Sequence, residues 1–151
     1  MTPPPELDAP ASHLGWTYGR LMEGDAADLF TAPIHLGGTA AEPMPGFDGS
    51  PAWFERYAAA HPGPGFLVTS FSFDSPWDHW EVHPHGHEVV VCTSGAITLH
   101  QELESGERRT VVLTEGHYVI NEPGTWHTAD VDAPASALFV TSGEGTTHRP
   151  R

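Results

Sequence analysis

The sequence predicts an all-β fold, and three observations carry that expectation. From Phe66 to about residue 142, short runs of apolar and β-branched residues alternate with turn signals, the pattern of consecutive antiparallel strands. The 16 Gly and 15 Pro leave little room for long helices. A chain of 151 residues is long enough to close one sizeable core and short for two.

The elements follow in order. Residues 1–13 are rich in Pro and Ala with few groups to bury, and read as a loose arm. Residues 14–65 read as an N-terminal extension. Its first part, to about Gly49, mixes Trp16, Leu21, Leu29, Phe30, Ile34 and Leu36 with glycines, which suits irregular chain and short strands lying on a barrel. Ser50-Pro51 then reads as an N-cap with proline in the first helical position. A short helix over about 51–61 follows, with Trp53, Phe54 and Tyr57 on one face and a stop at His61-Pro62-Gly63.

Strands are expected at 66–73, 78–83, 88–93, 96–103, 109–113, 117–121, 127–131 and 136–142. Gly95, Ser105-Gly106, Glu115-Gly116, Pro123-Gly124 and Ala133-Pro134 separate them. So many short, evenly broken strands imply a sandwich or closed barrel over 66–145, leaving residues 146–151 as a tail.

Acidic residues outnumber basic ones 20 to 6, and a formal charge of -14 repels phosphate backbones and anionic lipid. No nucleic-acid or membrane partner is therefore expected. The single cysteine, Cys92, excludes an intrachain disulfide. The N-terminal residues lack the basic start and apolar stretch of a signal peptide, so a cytoplasmic location is the default expectation.

Of 11 histidines, four fall between residues 79 and 87: His79, His83, His85 and His87. Strand side chains alternate, so His79, Glu81 and His83 share one face while Trp80 and Val82 take the other. Pro84 and Gly86 break the strand and reverse the chain into the strand that Glu88 begins, bringing Glu81, His83 and Glu88 towards one point. Imidazoles and carboxylates so placed form a mixed N/O set suited to Fe, Mn, Co, Ni, Cu or Zn. A second segment, Gly116 to His127, turns at Pro123-Gly124 and starts a strand with His127.

These two segments resemble the paired motifs of the cupin superfamily, G-x5-H-x-H-x(3,4)-E-x6-G and G-x5-P-x-G-x2-H-x3-N. Glu88 and Gly95 keep the E-x6-G spacing, and His83 stands where the second histidine of the first motif belongs. Gly116, Gly124 and His127 keep the spacing of the second motif. Departures are Glu81 in place of the first histidine, Ser75 for the opening glycine, Glu122 for the proline and Val131 for the final asparagine.

The resemblance covers about residues 66–142. It implies a jelly-roll type double-stranded β-helix barrel, with His83, Glu88 and His127 as ligands of one divalent transition metal. Two registers stay open for a fourth ligand. Glu81 directly replaces the missing histidine and is preferred; His85 would give three histidines and one glutamate.

His79 is expected beside a ligand carboxylate, and His87 on the turn, pointing away from the site. Trp80, Trp126 and Tyr118 are read as core or pocket wall. Cys92 is read as a small buried hydrophobe facing the barrel interior, because no cationic neighbour is evident to activate it.

A metal with three or four protein ligands keeps positions open for water, dioxygen or an oxygen-bearing substrate. The first functional expectation is accordingly a small-molecule enzyme, a dioxygenase of the Fe(II) type or a metal-assisted isomerase or lyase. The second is a binding module that senses a small ligand or metal without turnover. The third is a metal-free isomerase or epimerase with His83 and His127 as acid and base. By the same resemblance a homodimer is expected, with segment 14–49 covering or exchanging at a sheet edge.

Overall fold

The computed structural model describes residues 26–151. The expected arm at 1–13 and the start of the extension lie outside the described residues. In chain order the strands are β1 (Ile34–Gly37), β2 (Ala40–Pro43), β3 (Phe66–Phe73), β4 (His79–Val82), β5 (Glu88–Ser94), β6 (Ala96–Glu102), β7 (Arg108–Thr114), β8 (Tyr118–Asn121), β9 (Trp126–Asp130), β10 (Ala135–Thr141) and β11 (Thr147–Pro150), with helix α1 (Pro51–Ala60) between β2 and β3.

They form two antiparallel sheets, ordered β2-β1-β3-β10-β5-β8 and β11-β4-β9-β6-β7. Within them β3-β10-β5-β8 faces β4-β9-β6-β7, the strand order of an eight-stranded jelly roll. The architecture is thus the double-stranded β-helix that the two motifs imply, and it follows from the topology of the chain itself. The strands expected between 66 and 142 all occur, each bound within one residue of its expected position.

Alternation explains the packing. Val90 and Cys92 of β5, Ile97 and Leu99 of β6, Leu113 of β7, Ala129 of β9 and Ala137 and Phe139 of β10 point between the sheets and make one apolar core. Two glycines hold turns that other residues would strain. Gly95, between β5 and β6, has φ 73, and a Cβ there would come within 2.7 Å of the Pro134 carbonyl oxygen. Gly124, between β8 and β9, has φ 81 and sets the reversal just before His127.

The C-terminal residues differ from the expected tail. Residues 147–150 are a paired edge strand rather than a tail: β11 lies antiparallel to β4, with His148 opposite Glu81 and Arg149 opposite Trp80. On the outer face of the sheet the Arg149 side chain lies over both Trp80 and Trp126, 5.2 and 4.4 Å from the ring centroids, which helps secure this edge strand. Segment 34–43 agrees with the expectation of short strands lying on the barrel: it forms a hairpin whose β1 pairs with β3, so it covers that edge of the sheet.

Helix α1 begins as expected, with the Ser50 hydroxyl accepting from the Trp53 amide and proline in the first turn. Trp53 is fully buried with Met44 and Leu67, whereas Phe54 is 38% exposed, so the buried face centres on Trp53 and reaches Tyr57 one turn on. This satellite core is separate from the barrel interior. Trp53→Ala is expected to destabilise the protein by about 3–5 kcal/mol, the usual range for emptying a buried aromatic site. Urea unfolding of the variant beside wild type checks this.

Candidate metal centre

Strand register builds the site. In one sheet Thr141 pairs with Glu88 and Glu88 with Asn121, setting one rung across β10, β5 and β8. In the other, His148 pairs with Glu81, Glu81 with His127, and His127 with Gln101, a rung across β11, β4, β9 and β6. His83 follows directly after β4, before the turn at Pro84 and His85. Glu81, His83, Glu88 and His127 therefore converge, each offering one ligand atom within 4.8 Å of the others.

The two rings are aimed by their other nitrogens. His127 Nδ1 lies 3.1 Å from the Thr125 carbonyl oxygen, which can only accept, so Nδ1 carries the proton and Nε2 has the lone pair. The Thr146 hydroxyl donates to the Gly143 carbonyl oxygen at 2.7 Å, so its oxygen accepts from His83 Nδ1, also at 2.7 Å. Both Nε2 atoms consequently face the centre as potential ligands. Such fixing of the tautomer by an outer partner is what a metal-binding imidazole requires.

His83 Nε2 lies 2.9 Å from Glu81 Oε1 and 3.0 Å from Glu88 Oε2; His127 Nε2 lies 3.1 Å from Glu88 Oε1 and 3.9 Å from Glu81 Oε1. These are charge contacts without hydrogen-bond alignment. Among the described residues neither buried Nε2 has a hydrogen-bond partner. Buried imidazole nitrogens this close to carboxylates, without an aligned hydrogen bond, call for a shared positive charge, which a proton supplies in the metal-free protein and a metal ion can supply in its place. A cation held between two imidazoles and two carboxylates satisfies all four groups, so the donor set fits a divalent transition metal.

Glu88 is held most firmly. It accepts from Asn121 Nδ2 at 3.2 Å and from the Thr141 hydroxyl at 2.7 Å, and Gln101 Nε2 supports Asn121 at 2.7 Å. Burial alone would raise its pKa, yet the adjoining His127 and His83 hold it down to about 2. Burial would likewise raise Glu81, but His148 and His83 keep it well below the usual carboxylate range. For His83, burial lowers the pKa and is outweighed by Glu81 and Glu88, which bring it up to about 9.

Of the residues singled out in the sequence, the structure thus gathers His83, Glu88, His127 and Glu81. His85 is exposed on the turn and stands outside this group, as does His87. His79 lies beside Glu81 and His148.

Two expectations are corrected, those for the two tryptophans and for Tyr118. Trp80 and Trp126 clasp Arg149 on the far side of their strands from Glu81 and His127, because strand neighbours alternate. They do not wall the metal centre. Tyr118 is 63% exposed, as β8 turns Val119 and Asn121 inward instead. Cys92 is, as expected, buried in the apolar core, its Sγ 3.4 Å from the Ser94 carbonyl oxygen, and burial pushes its thiol pKa up. Trp77, which the sequence reading passed over, packs edge-on to His127 with ring centroids 6.2 Å apart.

No family model and no curated protein matches the sequence. Solved structures do resemble it. An uncharacterised conserved protein with a double-stranded β-helix domain from Klebsiella pneumoniae is 23% identical, with 57% of this chain and 76% of that one covered at a TM-score of 0.47. A cupin-2 domain protein from Shewanella frigidimarina is 13% identical over 57% and 71% of the two chains, TM-score 0.41. Hydroquinone 1,2-dioxygenase PnpCD, in complex with Cd2+ and 4-hydroxybenzonitrile, is 15% identical, TM-score 0.46; the match covers 54% of this chain and 60% of that one. Among the described residues no helix is long and apolar enough to cross a membrane.

Proposed function

We propose that this protein, a jelly roll of the cupin type, is a metal-dependent small-molecule enzyme in which His83, Glu88 and His127 hold the ion and Glu81 is the fourth, more labile ligand. The observation that carries this reading is the pair of buried imidazoles whose Nδ1 atoms are held by Thr125 and Thr146 and whose Nε2 atoms, making no aligned hydrogen bond, converge on two carboxylates. A bound divalent metal would supply Lewis-acid or redox chemistry at positions the protein leaves open. The fitting substrate is a small carbonyl or carboxylate compound that offers oxygen to the ion. The reaction classes are dioxygenation, or metal-assisted isomerisation or lysis.

Within that scheme the chain's own groups divide the work. Glu88, clamped by Asn121 and Thr141, keeps the inner carboxylate fixed. Glu81 is 21% exposed where Glu88 is 2% exposed, so Glu81 is the ligand that an incoming substrate can displace or use as a base.

Chelated protein without a histidine tag, reconstituted with a single first-row metal and desalted, should retain at least one ion per chain and melt at a higher temperature than the metal-free form. A folded protein retaining none would overturn the metal reading in favour of acid-base chemistry by His83 and His127. Firm metal retention without turnover across carbonyl and carboxylate substrates would favour a sensing module. The fourth ligand has its own test: Glu81→Ala should weaken metal affinity by about 10-fold or more, and His85→Ala should leave it unchanged. Titration of both variants at one pH with one metal checks the ranking, and the reverse order would reassign the ligand.

A further inference from the structure

The inner centre uses only part of the histidine and carboxylate chemistry at this end of the barrel. His79, Glu81 and His148 form a second group whose ligand atoms lie within 4.8 Å of one another. Its geometry comes from strand pairing. His79 and Glu81 are two apart on β4 and share a face, and His148 on β11 sits directly opposite Glu81. Trp80 and Arg149 occupy the other face, where their stacking fixes β11 against β4.

Glu81 divides its oxygens between the two groups. Oε1 faces the inner imidazoles, 2.9 Å from His83 Nε2, and Oε2 faces outward, 2.7 Å from His148 Nε2. His79 Nδ1 is bonded to Asp78 Oδ1 at 2.6 Å. That carboxylate-histidine pairing makes Nδ1 the donor and leaves Nε2 as the ring nitrogen free to bind an ion. The His79 and His148 rings meet edge to face with centroids 5.0 Å apart. His79 is held beside this pair by Asp78 and by stacking on Trp77, ring centroids 6.0 Å apart, so its ring is positioned before any ion binds.

We propose that His79, Glu81 and His148 bind a second divalent first-row transition ion, with Glu81 bridging it to the ion of the inner centre. The bridging role rests on the function proposed above; the outer site itself does not. Two imidazoles and a carboxylate make a donor set suited to zinc, cobalt or nickel, with open positions for water or substrate oxygen. The side chains of His79 and His148 are 40% and 52% exposed, against 4% and 0% for His83 and His127. The outer ion is therefore exchangeable where the inner one is retained. Because β11 supplies His148, the outer ion also ties β11 to β4, and occupancy should strengthen that edge of the sheet.

Zn2+ titration of metal-free, tag-free protein, read by calorimetry, tests this. Wild type should take two ions per chain in distinguishable steps, the weaker one lost on desalting. His79→Ala and His148→Ala should each remove the weaker step, or weaken it at least 10-fold, and keep the tight one. His79→Ala is decisive, because it spares the bond between Glu81 and His148 and is not needed to seat β11. His83→Ala should remove the tight step alone. A single step in wild type that survives both outer substitutions would overturn the outer site, as would a second step indifferent to His79→Ala. A single step lost with His79→Ala but kept with His83→Ala would uphold the outer site and overturn the inner one, so the two readings fail separately.

Discussion

His127→Ala should abolish retained metal. The expected loss of affinity exceeds about 100-fold, the upper end of what removing an outer partner of a ligand costs. His127 has no exposed surface, its Nδ1 is committed to the Thr125 carbonyl, and its Nε2 lies 3.1 Å from Glu88. No other imidazole among the described residues stands where it could substitute: His85 and His87 are exposed on the turn, and His79 and His148 face the outer group. His83→Ala should behave alike, and His87→Ala should do nothing. Metal content after desalting, measured on variants whose metal-free forms still unfold cooperatively, checks this. Equal loss from all three would mean that the ion is held by surface chelation.

How far the sequence discloses this site depends on whether a signal is local. The strands from 66 to 142 are legible because alternation and turn residues are written into each short segment. The same alternation places Glu81 and His83 on one face of the chain, and the spacing of the two motifs singles out Glu88 and His127. Glu81 takes its place beside the inner imidazoles because the strand ends at Val82 and the turn over Pro84 and His85 carries His85 into solvent.

The groups that fix the ligands are another matter. Asn121 and Thr141 reach Glu88 only through the pairing of β5 with β8 and β10, and Gln101 meets Asn121 across the barrel. Thr146 finds His83 from 63 residues away. A polar residue at the end of a strand carries no mark of the register that will bring it to a partner. β11 is hidden for a related reason: Thr-His-Arg-Pro has no apolar alternation, and its pairing depends on Arg149 stacking with two tryptophans that lie 69 and 23 residues earlier in the chain. Trp80 and Trp126 each precede an inward-facing ligand in their own strands and so must face out, which a reading of them as pocket wall overlooks.

Glu88→Ala should show how the centre behaves without metal. Removing one partner from a buried, paired cluster is expected to destabilise the chelated protein by about 3–5 kcal/mol near neutral pH, because the remaining charges lose their counter-ion in a place water does not reach. Glu88 is 2% exposed and contacts both imidazoles. The pH dependence has a definite sign. The Glu88 pKa in the folded protein is depressed to about 2, below its unfolded value of 4.5, so its contribution is complete above 4.5 and is lost as pH falls through 2. The His83 pKa is raised to about 9, above its unfolded value of 6.5, so its contribution is complete below 6.5 and is lost as pH rises through 9. The difference between wild type and Glu88→Ala should therefore peak between pH 4.5 and 6.5 and shrink on both sides. Urea unfolding in excess chelator at several pH values measures it, and a difference that does not vary with pH would mean that Glu88 acts by packing and hydrogen bonding alone.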